Sequence, residues 1–182
     1  MGEENGVISL VVADEEIAAC YPVMRELRPH ISEEEFISRI RKLEATGYKL
    51  AALRDAGEIV AVAGFRIGEN LPWGRFLYVD DLVTRSESRS KGYGAKLLAW
   101  LKEFAAKEGC EQLHLDSATW RKEAHRFYER EGLRLTSFHF SVKIDPQRGG
   151  SGSGEEASAF VGSTRRSLKA MSHRGELSRH SW

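Results

Sequence analysis

The run Arg89-Ser90-Lys91-Gly92-Tyr93-Gly94 sets two glycines and two cations directly in front of an apolar periodicity. Leu97, Leu98, Trp100, Leu101 and Phe104 recur at helical spacing, which predicts a helix opening near Ser90. Backbone N–H groups at a helix start lack intrahelical acceptors, and the helix dipole adds partial positive charge there. Small residues let an anion approach those amides, so Gly92 and Gly94 supply access while Arg89 and Lys91 add charge. The local pattern fits a phosphate site or a plain glycine-rich cap. It lacks the G-x-x-x-x-G-K-[ST] spacing of a nucleotide-triphosphate loop and the third glycine of a dinucleotide-binding turn.

Two other stretches carry groups able to move protons. "YVDDLVT" (78–84) holds the adjacent carboxylates Asp80 and Asp81, and "AHRFYEREGL" (124–133) holds Tyr128 beside Phe127. A strand period of two puts Tyr78, Asp80, Leu82 and Thr84 on one face and Asp81 on the other. An ordinary alternative for Asp80 is a strand carboxylate paired with Arg66 or Arg75. His114 in "LHLDS" reads as an imidazole satisfied within a sheet rather than a base, and His125 as exposed. Cys110 reads as core rather than nucleophile, and with Cys20 it forms neither a disulfide framework nor a metal spacing. Trp73, Phe76 and Tyr78 are candidates to line a pocket, with sheet packing as the competing explanation.

The elements that must position these groups follow from periodicity and punctuation. "VISLVVAD" (7–14) reads as a strand, and Ile17, Tyr21, Met24 and Leu27 mark a helix ending by Pro29. Ser32 with Glu35 three residues on predicts a capping box for a second helix, closed by Gly47. Residues 48–67 read as a hairpin turning at Asp55-Ala56-Gly57, and residues 73–84 as a further strand. A helix to about Lys107, a strand at 111–117, a short helix stopped at Gly132 and a closing strand "RLTSFHFSVKI" (134–144) complete the order. Strand and helix signals of this kind predict an α/β (α+β) domain, a mixed sheet with helices on its faces.

Composition bounds the rest. The chain has 182 residues, 41% hydrophobic and 30% charged, enough for a sizeable core. With 27 basic and 27 acidic residues the net charge is zero, so no global field recruits nucleic acid or membrane, and neither is an expected partner. Apolar runs are too short to span a bilayer, and the start "MGEENG" is the reverse of a secretory signal, which points to a cytoplasmic protein. Residues 1–145 are expected to form one domain. Residues 146–182 read as a Gly/Ser-rich linker and a polar tail, with 155–171 a weak helical candidate.

"LVTRSESRSKGYGAKLL" resembles the R/Q-x-x-G-x-G/A signature that follows a strand in the GCN5-related N-acetyltransferases (GNAT). "AHRFYEREGL" is similar to that family's second signature, A-x-x-F-Y-x-x-x-G-F. The resemblance covers approximately residues 5–145 and implies a mostly antiparallel sheet of about six to seven strands flanked by about four helices. It implies acetyl-CoA as co-substrate without a metal, and a primary amine as acceptor. The CoA pyrophosphate is then expected on the backbone of Arg89, Ser90, Lys91, Gly92, Tyr93 and Gly94. Leu82 and Thr84, with Val83 between them, would contact the pantetheine arm, and the Leu82 N–H would donate to the thioester carbonyl. By the same resemblance Tyr128 is the general acid. Asp80, in a run that also looks like "Y-L-E-D-F-F-V" of polyamine acetyltransferases, is the base or amine-binding group. Arg28 and His30, between the first two helices, would border the acceptor site. The second signature often carries Asn where Arg121 stands, which leaves one CoA contact to Arg121, to Ser117 or to neither. The expected partner is a small cationic amine, with a homodimer compatible. Alternatives are a protein-lysine acetyltransferase and a non-catalytic acyl-CoA-binding regulatory module.

Overall fold

A computed structural model describes residues 6–144. The predicted tail, including the helical candidate at 155–171, lies outside them. The chain divides into two units, residues 1–139 and 140–182. In the first, β1 (Val7–Val11) leads into α1 (Asp14–Met24) and α2 (Glu33–Glu44). β2 (Tyr48–Asp55), β3 (Glu58–Asn70) and β4 (Gly74–Thr84) follow, then α3 (Tyr93–Lys107), β5 (Gln112–Leu115) and α4 (Lys122–Arg130). Among the described residues no helix is long and apolar enough to cross a membrane.

The five strands form one sheet in chain order, antiparallel throughout except that β4 and β5 run parallel. Side chains of the sheet divide between two cores. Val62, Leu50, Tyr48 and Val83 pack with Ile17, Met24, Phe36 and Ile40 of α1 and α2. Phe65, Leu77, Val79 and Ala63 pack with Leu97, Leu98 and Leu101 of α3. Those three leucines are fully buried, each contributing about 1.5–3 kcal/mol over an exposed side chain. Phe65 meets Trp100 and Phe104 edge-on, so the periodicity that predicts α3 is also what fixes it to the sheet.

The helix boundaries depart modestly from their sequence signals. Ser32 stands at the N-cap of α2 without a side-chain capping bond. The reach-back occurs instead at α1, where the Glu16 carboxylate accepts from the Val12 and Ala13 amides at 3.2 and 3.3 Å. α3 opens at Tyr93 rather than Ser90, because Ser90 and Gly92 adopt left-handed backbone (φ +62° and +85°).

The closing strand is a larger difference. Residues 134–144 carry no strand, and Leu135, Phe138, Phe140, Val142 and Ile144 are all exposed. Alternation of apolar residues predicts a half-buried strand only where a ladder partner and a sheet face are supplied. The described sheet accordingly has five strands rather than six or seven.

An irregularity in β4 shapes the middle of the sheet. Val79 pairs with Phe65, but Gly64 pairs with Asp81, so Asp80 is an extra residue, a β-bulge. The β4–β5 ladder ends at the same place, with Val79 opposite Leu115. Beyond it β4 continues to Thr84 without β5 beside it, and the two strands part.

Candidate active site

A cleft of about 490 Å³ lies where β4 and β5 separate. Asp80, Leu82 and Tyr128 all line it, so two residues of β4 and one of α4, predicted to share chemistry, share one space. Tyr78, Arg28, Asp116 and Arg121 line it as well. Trp73 and Phe76 do not. They pack with His114, whose ring stacks on Trp73 at 3.8 Å between centroids and bonds Gln112 at 3.0 Å. Burial lowers the His114 pKa, in keeping with a satisfied sheet imidazole. His30 is exposed and lies apart from the cleft lining.

Strand geometry decides which backbone groups reach the cleft. The Arg85 amide donates to the Val60 carbonyl of β3 at 2.9 Å. Successive amides of a strand point to opposite edges, so Val83 also faces β3 while Leu82 and Thr84 turn their N–H groups toward the gap. Val83 is buried in the first core. Its backbone groups face β3 rather than the gap, which holds Leu82 and Thr84 in place.

The two carboxylates part at the bulge. Asp81 pairs with Gly64 and faces the first core, where it is buried. Its Oδ2 accepts from the Tyr48 hydroxyl at 2.9 Å and its Oδ1 from Arg28 Nε at 2.7 Å. Burial, then the Asp81 charge, holds the Tyr48 phenol well above its usual pKa. Gly64 is required here, since a Cβ would stand 1.7 Å from the Tyr48 hydroxyl oxygen. Asp80, as the inserted residue, escapes the alternation altogether. Arg66 Nε donates to its Oδ2 at 2.8 Å, the arginine pairing its strand position allowed. Arg28 also donates to the Asp80 carbonyl at 3.0 Å, so one guanidinium ties both acidic residues to the α1–α2 connection.

The far wall of the cleft is built by β5 and α4. Asp116, just past the end of β5, accepts from the Tyr78 hydroxyl at 2.5 Å and lies 2.8 Å from His139 Nδ1. Asp116 carries no motif, and its one signal in the sequence is an acidic residue at the end of a strand. The Ser117 hydroxyl beside it is buried without a hydrogen-bond partner among the described residues. His125, expected to be exposed, is half-buried and bonds the Ala118 carbonyl at 3.0 Å, bracing the connection into α4. Tyr128 is half-buried, and its hydroxyl makes no hydrogen bond to any described residue. Burial raises its pKa, and the nearby Arg121 guanidinium pulls the other way.

The glycine-rich loop lies at the end of the same strand. A Cβ built on Gly94 would stand 3.4 Å from Thr84 Oγ1 and 3.5 Å from Phe127, linking the α3 start to both β4 and α4. None of the amides of residues 90–95 donates to a backbone carbonyl among the described residues, whereas Lys96 already bonds Gly92. Space is open above Gly92, with nothing within 4 Å of a built Cβ. Three contacts hold the loop in place. Arg89 pairs with Glu26 at 3.0 Å, the Glu26 carboxylate takes the Ser86 amide at 3.0 Å, and the Tyr93 hydroxyl bonds Asp55 at 2.5 Å. The Arg89 side chain is thus an anchor, leaving Lys91 as the cation of the loop with no partner among the described residues. Free amides, open space and one cation fit a phosphate-bearing ligand. Among the described residues no three His, Cys, Asp or Glu side chains gather to hold a metal ion.

A family model described as "Acetyltransferase (GNAT) family" matches residues 11–133. An uncharacterized N-acetyltransferase, YhdJ, of Bacillus subtilis is 36% identical over 136 residues, 74% of this chain and 96% of its own. The aminoalkylphosphonate N-acetyltransferase of Salmonella typhimurium is 35% identical over 98 residues, 53% of this chain and 62% of its own. Among solved structures, AAC(6')-Iy in complex with a bisubstrate analog, CoA-S-monomethyl-acetylneamine, aligns with a TM-score of 0.70 at 12% identity. That match covers 78% of this chain and 99% of the other, and at such identity it speaks to the fold.

Proposed function

The chain belongs to the acetyltransferase (GNAT) family, and from that premise we propose that it moves an acetyl group from acetyl-CoA to the primary amine of a small cationic acceptor by direct attack. The observation that carries this is the single cleft in which Asp80, Leu82 and Tyr128 meet, at the end of a strand leading to unpartnered amides. A relative named for aminoalkylphosphonates supports a small acceptor over a protein lysine.

Each residue has a physical task. The backbone of residues 90–94 holds the pyrophosphate, with Lys91 adding charge and Gly92 leaving room. Leu82 and Thr84 offer main-chain groups to the pantetheine arm as a sheet edge does to an added strand. The Leu82 N–H donates to the thioester carbonyl oxygen and stabilises the negative charge that develops there, an effect of about 3 kcal/mol in comparable sites. An alkylamine of pKa about 10 arrives protonated. Asp80 takes that proton through a water, its short side chain held by Arg66. Tyr128 donates its phenolic proton to the departing thiolate sulfur. Its free hydroxyl and protonated state suit that role. No covalent enzyme intermediate is needed, consistent with Cys110 lying half-buried against the second core with its thiol pKa raised by burial.

The test is an acceptor screen that reads free CoA thiol, paired with calorimetric titration of CoA and of ATP. Thiol release with an amine, and binding of CoA but not ATP, are expected. Binding of CoA without turnover on any amine would instead identify a regulatory module, and ATP binding alone would overturn the assignment of the loop.

A further inference from the structure

The charges around the cleft do not balance in pairs. Asp80 is engaged by Arg66, Asp81 by Arg28, and Asp116 by the Tyr78 hydroxyl and His139. Every carboxylate at or behind the cleft therefore has a partner. Arg121, an exposed residue, also lines the cleft, and its guanidinium makes neither hydrogen bond nor ion pair with any described residue. It stands at the N-cap of α4, where its side chain gives no capping bond, with the exposed Trp120 next to it. A guanidinium offers five donors in a planar fork shaped for carboxylate, phosphate or phosphonate. The phosphates of the donor have their own seat on the amides of residues 90–95, beyond the Thr84 end of β4. Arg121 shares its cleft with Leu82, where the donor's thioester ends, and with Asp80 and Tyr128, between which the acceptor must bring its nitrogen to attack.

We propose that Arg121 is the anion handle of the acceptor site, and that the preferred acceptors are zwitterionic, carrying a carboxylate, phosphate or phosphonate besides the primary amine. This rests on the acetyltransferase assignment and replaces its simply cationic acceptor with one whose cationic amine is accompanied by an anionic group. The amine is directed to Asp80 and the anionic group to Arg121, so the two ends of one small molecule are read by opposite charges across the cleft. Such a site discriminates by leaving the guanidinium unmatched when a neutral-tailed amine binds.

The experiment compares matched acceptors that differ only in the anionic group: lysine against 1,5-diaminopentane, and 3-aminopropylphosphonate against propylamine. With the wild-type protein, kcat/KM is expected to favour the anionic member of at least one pair by about tenfold or more. The two pairs distinguish carboxylate from phosphonate. Arg121→Gln should collapse that ratio toward one while the KM for acetyl-CoA stays within about twofold, and Arg121→Lys should retain part of the ratio. A thermal melt of each variant guards against misfolding. Equal use of both members by the wild type, or a preference that survives Arg121→Gln, would overturn the proposal and leave the acetyltransferase assignment standing. A raised acetyl-CoA KM in Arg121→Gln with the preference intact would overturn it too, assigning the guanidinium to the donor. Absence of thiol release from every acceptor would overturn both.

Discussion

Replacing Tyr128 by Phe removes the proposed acid and disturbs little else. The Tyr128 hydroxyl lines the cleft and bonds no described residue, so its removal orphans nothing. The ring keeps its packing, including the Phe127 contact at 5.3 Å between centroids. Stability should therefore change by no more than about 0.5 kcal/mol, the range of substitutions that break no specific feature. Loss of a positioned acid removes about ten- to a thousandfold in rate, or about 1.4–4 kcal/mol of transition-state stabilisation. The expected signature is a fall in kcat with the KM for acetyl-CoA and the melting temperature nearly unmoved. Initial rates of thiol release at saturating substrates, backed by single-turnover measurements, read the chemical step rather than product release. Burial raises the phenol pKa, so the wild-type rate should show no alkaline loss from this group below its ordinary value of about 10. An unchanged kcat would remove Tyr128 from the acid role. A rate loss matched by a large drop in melting temperature would show that the hydroxyl supports the fold instead.

Three further substitutions probe the remaining parts. Gly92→Glu should weaken CoA binding about tenfold or more in calorimetry, by filling the open space and repelling phosphates; normal binding would contradict the loop assignment. Asp80→Asn should lower kcat about ten- to a hundredfold, since base catalysis contributes at least that much. It should change melting little because the Arg66–Asp80 pair is partly exposed, and a wild-type rate would exclude Asp80 as base. Tyr48→Phe addresses alkaline stability. The Tyr48 pKa is raised in the folded state, so the native protein retains a proton that the unfolded chain loses above about pH 10, and stability falls as pH rises past that value. Urea midpoints from neutral to alkaline pH should fall less steeply in Tyr48→Phe than in the wild type. Parallel slopes would refute the assignment.

The parts of the site written as local spacing were legible in the sequence. Gly92 and Gly94 before an apolar helix announce free amides, and Phe127-Tyr128 sits in a short helix whose register brings the phenol to the cleft. What escaped depends on pairing between distant segments. Adjacent aspartates in a strand give no hint of which one is inserted, because that is decided by the register of β3 against β4. The Tyr48–Gly64–Asp81 stack joins three strands and needs a missing Cβ on the middle one, which no single segment encodes. Asp116 and His139 carry no motif; only the departure of β5 from β4 brings Asp116 into play. The alternating apolar residues 138–144 show the opposite failure, a local pattern without the neighbour that would make it a strand.

Asp80 also makes the length of β4 a variable separate from its composition. If residue 80 were removed, Val79–Phe65 and Asp81–Gly64 would become consecutive rungs of an unbroken ladder, and all other side chains would keep their present faces. The protein would lose one carboxylate and, with it, the bend that parts β4 from β5. Substitution at this position changes what the cleft contains, whereas deletion decides whether there is a cleft. A single residue thus carries both the opening and the charge within it, and the two can be uncoupled only by counting residues rather than exchanging them.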